Sequence, residues 1–166
     1  FIMCLTIVLF VKIKIGSPIL FTQPRPGLNG SIFNMIKFRT MTNERDLDGD
    51  LLPDSVRLTK FGKFIRSTSL DELPGLWNVI KGDMSLVGPR PNVFAQQELY
   101  SKSEWEKRNS VRPGITGLAQ VLIRSSGIPD ERTRLDLKYI DKQSFCYDIY
   151  IIMLTIKQVL FKGDTN

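Results

Sequence analysis

The sequence predicts a small α/β domain, mostly helical with one short β-hairpin, resting on a membrane through an apolar helix at its N-terminus. Three observations carry this: an almost wholly apolar run at the start, two strand-like segments flanking a turn-rich stretch, and helix-compatible apolar spacing in several later segments. At 166 residues the chain is long enough for one domain with a real core and short for two. A composition of 42% hydrophobic and 24% charged residues fits a globular protein, neither disordered nor repeatedly membrane-spanning.

The opening run, FIMCLTIVLFV over residues 1–11, is followed by Lys12 and Lys14. A spanning helix needs about 20 apolar residues, so this run is too short to cross a bilayer. No small-residue cleavage site follows it, which argues against a signal peptide. A buried core helix and a membrane-embedded helix both remain open. The second is preferred, because the two lysines would reach anionic headgroups. The chain begins at Phe1 rather than methionine, and its natural N-terminus is expected to lie upstream.

Gly16-Ser17-Pro18 ends this helix. Ile19–Phe21 reads as a short strand, Pro24–Gly27 and Asn29-Gly30 as turns, and Ile32–Phe38 as the second strand of the hairpin. The polar stretch TNERDLDGDLLPD over residues 42–54 is a surface excursion. Asp46, Asp48 and Asp50 alternate there, but the glycine falls at 49 and no glutamate closes the loop, so the spacing is not that of a calcium-binding EF-hand. Helices are predicted over Val56–Ile65, Leu70–Ile80, Gln96–Asn109, Leu135–Tyr139 and Tyr147–Phe161. The last is amphipathic and suited to packing or to lying on a membrane. Val87–Pro91 and Val111–Gly117 are rigid Pro/Gly loops.

Lysine and arginine total 23 against 17 acidic residues, a formal charge of +6. That excess favours an anionic partner: nucleic acid, acidic lipid or a phosphorylated small molecule. The chain contains no histidine, which excludes any His-based triad. Cys4 and Cys146, far apart in apolar surroundings, offer neither a metal-ligand spacing nor a disulfide framework and fit a reducing compartment.

The sharpest local feature is Ser69-Leu70-Asp71-Glu72-Leu73. Taken alone, the pentapeptide reads best as a capping box, with Ser69 as the cap and Glu72 reaching back to it. Its neighbours raise a functional reading. Arg66 precedes it, Arg90 lies in GPRP and Arg112 in VRPG, where proline and glycine fix the backbone that aims each guanidinium. Guanidinium forks match phosphate oxygens, so three such arginines beside an acidic dyad make a credible diphosphate-binding set. Lys37-Phe38-Arg39-Thr40-Met41 alternates as a half-buried edge strand does. Neither GxGxxG nor GxxxxGK[ST] occurs.

The segments GSPILFTQPRPG, FNMIKFRTM, FGKFIRSTSLDELPGLWNVIKGDMSLVGPRP and VRPGITGLAQV, in this order and spacing, resemble the bacterial sugar transferases, the monotopic phosphoglycosyl transferases. The resemblance covers nearly the whole chain. It implies a re-entrant membrane helix that breaks at a Ser-Pro step, here represented by its C-terminal half over residues 1–15, and a cytosolic catalytic domain over 16–166. It also implies transfer of a sugar 1-phosphate from a UDP-sugar to undecaprenyl phosphate with release of UMP, as the first membrane step of surface glycan synthesis. Mg²⁺ is the implied cofactor, and the cytoplasmic face of the bacterial inner membrane, with its phospholipid, the implied location. By position, Asp71 would be the nucleophile and a metal ligand, and Glu72 its partner. Arg66, Arg90, Arg112 and Lys37 would bind phosphate. No nucleic acid is implied, and the oligomeric state is not legible. The segment Leu122–Arg134 departs from the family pattern and is expected to bear on the choice of sugar.

The composition suits that chemistry. A carboxylate attacks phosphorus well once the diphosphate charge is neutralised. The leaving UMP has a second pKa of about 6 and needs no general acid. A helix N-terminus beside the dyad would add to phosphate binding. Two competing readings make different predictions. A basic module binding nucleic acid or peripheral membrane without catalysis predicts salt-dependent binding indifferent to Asp71. A structural membrane protein with the dyad as a helix cap predicts that Asp71→Asn lowers stability by about 0.5–2 kcal/mol.

Overall fold

The structure, a computed structural model, describes residues 2–123 and 128–161. The chain divides into two compact units, Phe1–Thr22 with Ile36–Gly75, and Gln23–Met35 with Leu76–Asn166. A hairpin of β1 (Leu20–Pro26) and β2 (Ile32–Phe38) contributes residues to both. The hairpin is where the sequence places it, but β1 runs on through Pro24-Arg25-Pro26, expected as a turn. An edge strand tolerates proline because no ladder bond is required of every N–H.

In the first unit, α1 (Ile2–Lys14) is apolar up to Lys12 apart from Thr6, whose hydroxyl donates to the Ile2 carbonyl at 3.0 Å. One face buries Ile7, Val11 and Ile15 against Phe38 and Ile65, while Ile2, Met3, Leu5, Leu9, Phe10 and Ile13 stay exposed. Its 13 residues reach about 20 Å, short of the ~30 Å hydrocarbon core. Among the described residues no helix is long and apolar enough to cross a membrane. The chain then turns at Gly16 and a cis Ser17–Pro18 bond. Arg39, buried just beyond β2, donates from Nη1 to the Ser17 carbonyl and from Nε to that of Met41 at 2.8 Å.

The helix predicted over Val56–Ile65 is two, α2 (Asp54–Arg57) and α3 (Lys60–Ser67). Thr59 separates them, because its hydroxyl accepts the Gly62 N–H at 2.9 Å and starts a new helix. Gly62 lies so close to the Thr40 carbonyl that a Cβ there would stand 1.9 Å from its oxygen, and only glycine allows this approach. In the acidic loop the Asp46 carboxylate accepts from the N–H groups of Asp48 and Asp50 at 3.1 and 2.9 Å. It closes a local turn on an exposed surface.

The segment 70–80 spans the boundary between the units. It begins as a 3₁₀ stretch, Leu70–Gly75, interrupted by Pro74, and becomes helical only in α4 (Leu76–Ile80). The second unit also contains two three-residue strands that the sequence shows only as loops, β3 (Ser85–Val87) and β4 (Gly114–Thr116). They pair in parallel, Ser85 opposite Gly114 and Val87 opposite Thr116. Around them backbones touch directly: a Cβ on Gly88, Gly114 or Gly117 would meet main-chain atoms at 2.5, 2.1 or 2.2 Å.

The rest of that unit is helical: α5 (Lys102–Arg108), α6 (Leu118–Ile123), α7 (Pro129–Lys142) and α8 (Phe145–Phe161). The helix predicted over Gln96–Asn109 is a 3₁₀ turn, Phe94–Leu99, followed by α5, with Ser101 and Glu104 forming the capping box between them. Val87, Leu118, Ala119, Leu135, Tyr139 and Ile151 form one core; Phe33, Met35 and Met84 form a smaller one. Arg108 of α5 and Asp136 of α7, with side chains both 2% exposed, pair at 2.9 Å between the two helices. Residues 124–127 of the segment Leu122–Arg134 lie outside the described residues; its ends belong to α6 and α7.

Candidate active site

Four of the six residues singled out by the sequence, Lys37, Arg66, Asp71 and Glu72, come together in the first unit. Lys37 projects half-buried from β2, in which Phe33 and Met35 are buried by alternation and Phe38 is buried with a different core cluster. Its ammonium meets Glu72 Oε1 at 2.8 Å, with the two side chains only 18% and 13% exposed. Arg66 lies in the last turn of α3 and donates from Nε to Thr40 Oγ1 at 2.8 Å. That bond sets the plane of an otherwise exposed guanidinium.

Asp71 is 8% exposed. Burial pushes its carboxyl above the usual carboxylate range, and the adjacent Glu72 charge pushes the same way. Lys37, Arg66 and its own backbone N–H pull in the opposite direction, and burial wins. The two neighbouring carboxylates are thus unequal. Glu72 is committed to an ion pair, whereas Asp71 is held in a poorly solvated place where its ionised form is raised in energy. A destabilised carboxylate is a stronger nucleophile than a solvated one.

The capping-box reading does not describe this turn. Ser69 has φ 57°, in the left-handed region rather than the extended conformation of a helix cap, and the Glu72 carboxylate faces Lys37. The expectation of help from a helix N-terminus also falls, since Asp71 sits in a short 3₁₀ stretch with little aligned dipole.

Arg90 and Arg112 belong to the second unit. The Arg90 carbonyl accepts from Nη2 of Arg108, so the buried Arg108–Asp136 pair anchors the loop after β3. Arg112 donates from Nε to the Gly82 carbonyl at 2.9 Å and borders an open cleft of about 740 Å³ with Leu28, Met84 and Phe145. Three arginines escaped the sequence reading as structural supports: Arg39, Arg108 and Arg25, which donates to the Pro91 carbonyl at 3.0 Å. For Arg39 the available signal was its place within the alternating stretch Lys37–Met41.

Among the described residues no three Asp, Glu, Cys or His side chains gather into a metal cage. Mg²⁺ does not need one, because it binds through one or two carboxylates plus substrate phosphates and water. With Glu72 engaged by Lys37, the donor chemistry leaves Asp71 as a hard oxygen ligand that fits such a shared ion.

Comparison with known proteins bears on the family. The family model for bacterial sugar transferases matches residues 1–162. The chain is 51% identical over 166 aligned residues to the uncharacterized sugar transferase EpsL of Bacillus subtilis, covering 96% of this chain and 82% of that protein. It is 45% identical over 161 residues to the galactosyl transferase CpsE of Streptococcus agalactiae, covering 89% of this chain and 36% of the relative. A UDP-glucose:undecaprenyl-phosphate glucose-1-phosphate transferase of Xanthomonas campestris is 41% identical over 166 residues, covering 94% and 34%. The chain therefore spans about a third of the length of these last two relatives. The chain belongs to the bacterial sugar transferase family.

Proposed function

We propose that the chain transfers a sugar 1-phosphate from a UDP-sugar to undecaprenyl phosphate, through a covalent intermediate on Asp71. The observation that carries this is the buried Asp71 carboxyl beside the Lys37–Glu72 pair. In the first half, an Asp71 oxygen attacks the sugar-bearing phosphorus, its bond to the bridging oxygen breaks, and UMP leaves. In the second half, an oxygen of the lipid phosphate attacks the same phosphorus and the Asp71 carboxylate is released. One phosphoanhydride replaces another, so the net free-energy change is small. No proton need move at either step, which suits a chain without histidine.

Lys37 holds Glu72 in place and tempers the Asp71 carboxyl; Arg66 supplies a fixed positive charge beside it. Arg90 and Arg112 are the further phosphate-binding groups in this reading. Mg²⁺ held by Asp71 would neutralise phosphate charge. The exposed apolar residues of α1 and of α8 support attachment to a membrane, in this reading the inner membrane at its cytoplasmic face. Names of relatives put glucose and galactose first among donor sugars to try.

The test supplies the protein in nanodiscs with Mg²⁺, undecaprenyl phosphate and a panel of UDP-sugars, and measures UMP. Lipid-dependent UMP from one sugar, abolished in a folded Asp71→Asn variant, with a phosphosugar adduct on Asp71 when lipid is withheld, is the expected result. UMP release equal in parent and variant would refute Asp71 as the nucleophile.

A further inference from the structure

Within the second unit, two Pro-Arg-Pro tripeptides are fastened together. Arg25, between Pro24 and Pro26 on β1, donates from Nη1 to the carbonyl of Pro91 at 3.0 Å, next to Arg90 between Pro89 and Pro91. Its Nη2 donates to Gln23 Oε1 at 2.7 Å. These two neutral acceptors fix the guanidinium plane and take two of its five N–H groups. The Nε proton is buried and meets no acceptor. Two residues past Arg90, the buried Asn92 Nδ2 is likewise without one.

The neighbouring support makes a useful contrast. Arg108 braces the same loop through the Arg90 carbonyl, and its charge is matched by Asp136. Arg25 braces it through the next carbonyl, yet among the described residues no carboxylate matches its charge. Instead it is half-buried beside a like charge. Burial first and Arg90 second hold its pKa below the ordinary arginine value, so both penalise the cation. A neutral donor would brace Pro91 without that penalty. An uncompensated guanidinium hydrogen-bonded to the stiff Pro-Arg-Pro segment that carries a second, like-charged arginine is an arrangement that an anion with several oxygens stabilises.

We propose that Arg25 is a further phosphate-binding residue, its guanidinium acting with that of Arg90 to hold a phosphoryl group of a substrate. The inference rests on the proposed transferase reading for the identity of that group, which belongs either to the nucleotide or to the lipid. It does not rest on it for the anion chemistry.

The test titrates the intact chain, parent and Arg25→Gln, with inorganic pyrophosphate, UMP and micellar undecaprenyl phosphate at two salt concentrations. Loss of a charge-assisted bond predicts an affinity at least about tenfold weaker for one or more of these probes, with a shallower salt dependence. Weakening confined to pyrophosphate and UMP assigns the group to the nucleotide; weakening confined to the lipid assigns it to the acceptor. The ligand-free melting temperature of Arg25→Gln should equal or exceed that of the parent, since repulsion from Arg90 is removed. A lowered melting temperature with all three affinities unchanged would overturn the proposal and leave Arg25 a loop brace. Should Arg25→Gln fail to fold, Arg25→Lys decides: it keeps the charge but not the fork, so weakened binding supports the proposal and parental binding to all three probes overturns it. Pyrophosphate affinity lost in Arg25→Gln, with no UMP release from any sugar by the parent, would sink the transferase reading and leave this one standing. UMP release with parental KM and parental affinities in Arg25→Gln would do the reverse.

Discussion

Replacing Lys37 by methionine separates two effects of one ammonium group. The Lys37–Glu72 contact of 2.8 Å corresponds to a gross attraction of about 6 kcal/mol at an effective dielectric of about 20. Most of that is offset by desolvation, because the side chains are only 18% and 13% exposed. Exposed pairs contribute roughly 0–1 kcal/mol, and removing one partner of a fully buried pair costs about 3–5 kcal/mol. A pair of intermediate burial should lie near 2 kcal/mol, which is about 4–8 °C in melting temperature at this chain length. The second effect is on Asp71. Lys37 lowers the Asp71 pKa against burial and Glu72, so its loss raises that pKa further. The acid limb of UMP release should then move to higher pH in Lys37→Met. A thermal-melt cycle with Glu72→Gln and a pH-rate profile measure the two effects. Coupling below about 0.3 kcal/mol, or an acid limb that stays put or moves to lower pH, would refute the assignment of Lys37 to both groups.

Asp71→Asn should abolish activity and yet stabilise the fold at pH 7. The folded-state pKa is raised, so ionisation favours the unfolded chain, and the advantage of Asn should vanish below the ordinary carboxylate pKa of about 3.9. Melts at pH 7 and at acid pH check this; a loss of stability at pH 7 would refute the burial penalty assigned to the Asp71 carboxylate. In the second unit, Asp136→Asn leaves Arg108 buried and uncompensated and should cost about 3–5 kcal/mol by denaturant unfolding. The apolar pair Arg108→Met with Asp136→Leu should recover much of it.

The hairpin, the apolar start and the long C-terminal helix were legible because each buries a periodic set of side chains, which a sequence displays directly. Strands β3 and β4 were not. Three residues are too few to show a period, and the glycines and prolines that let two backbones meet are the residues that signal a loop. Val56–Ile65 has helical spacing throughout, but one hydroxyl at Thr59 restarts the ladder, a local bond that periodicity does not report. Among site residues, Asp71 and Glu72 were legible as a pair but not as unequal partners. Their difference comes from the burial of Asp71 and from Lys37, 35 positions away from Glu72 in sequence, which takes Glu72 into an ion pair. Arg25, Arg39 and Arg108 were passed over because each is defined by a carbonyl in a distant segment, and carbonyls carry no sequence signature.

The glycine frame around β3 and β4 bears on how this chain can diversify. Where main chain rests on main chain at Gly88, Gly114 and Gly117, even a methyl group has nowhere to go. Those three positions should be silent to selection for new donors, since every substitution there removes the scaffold before it alters the chemistry. Novelty must come from side chains that hang off the frame other than the phosphate-binding Arg90 and Arg112, or from insertions in the exposed loops. A library aimed at a new sugar would spend its diversity at such side chains and leave the frame untouched.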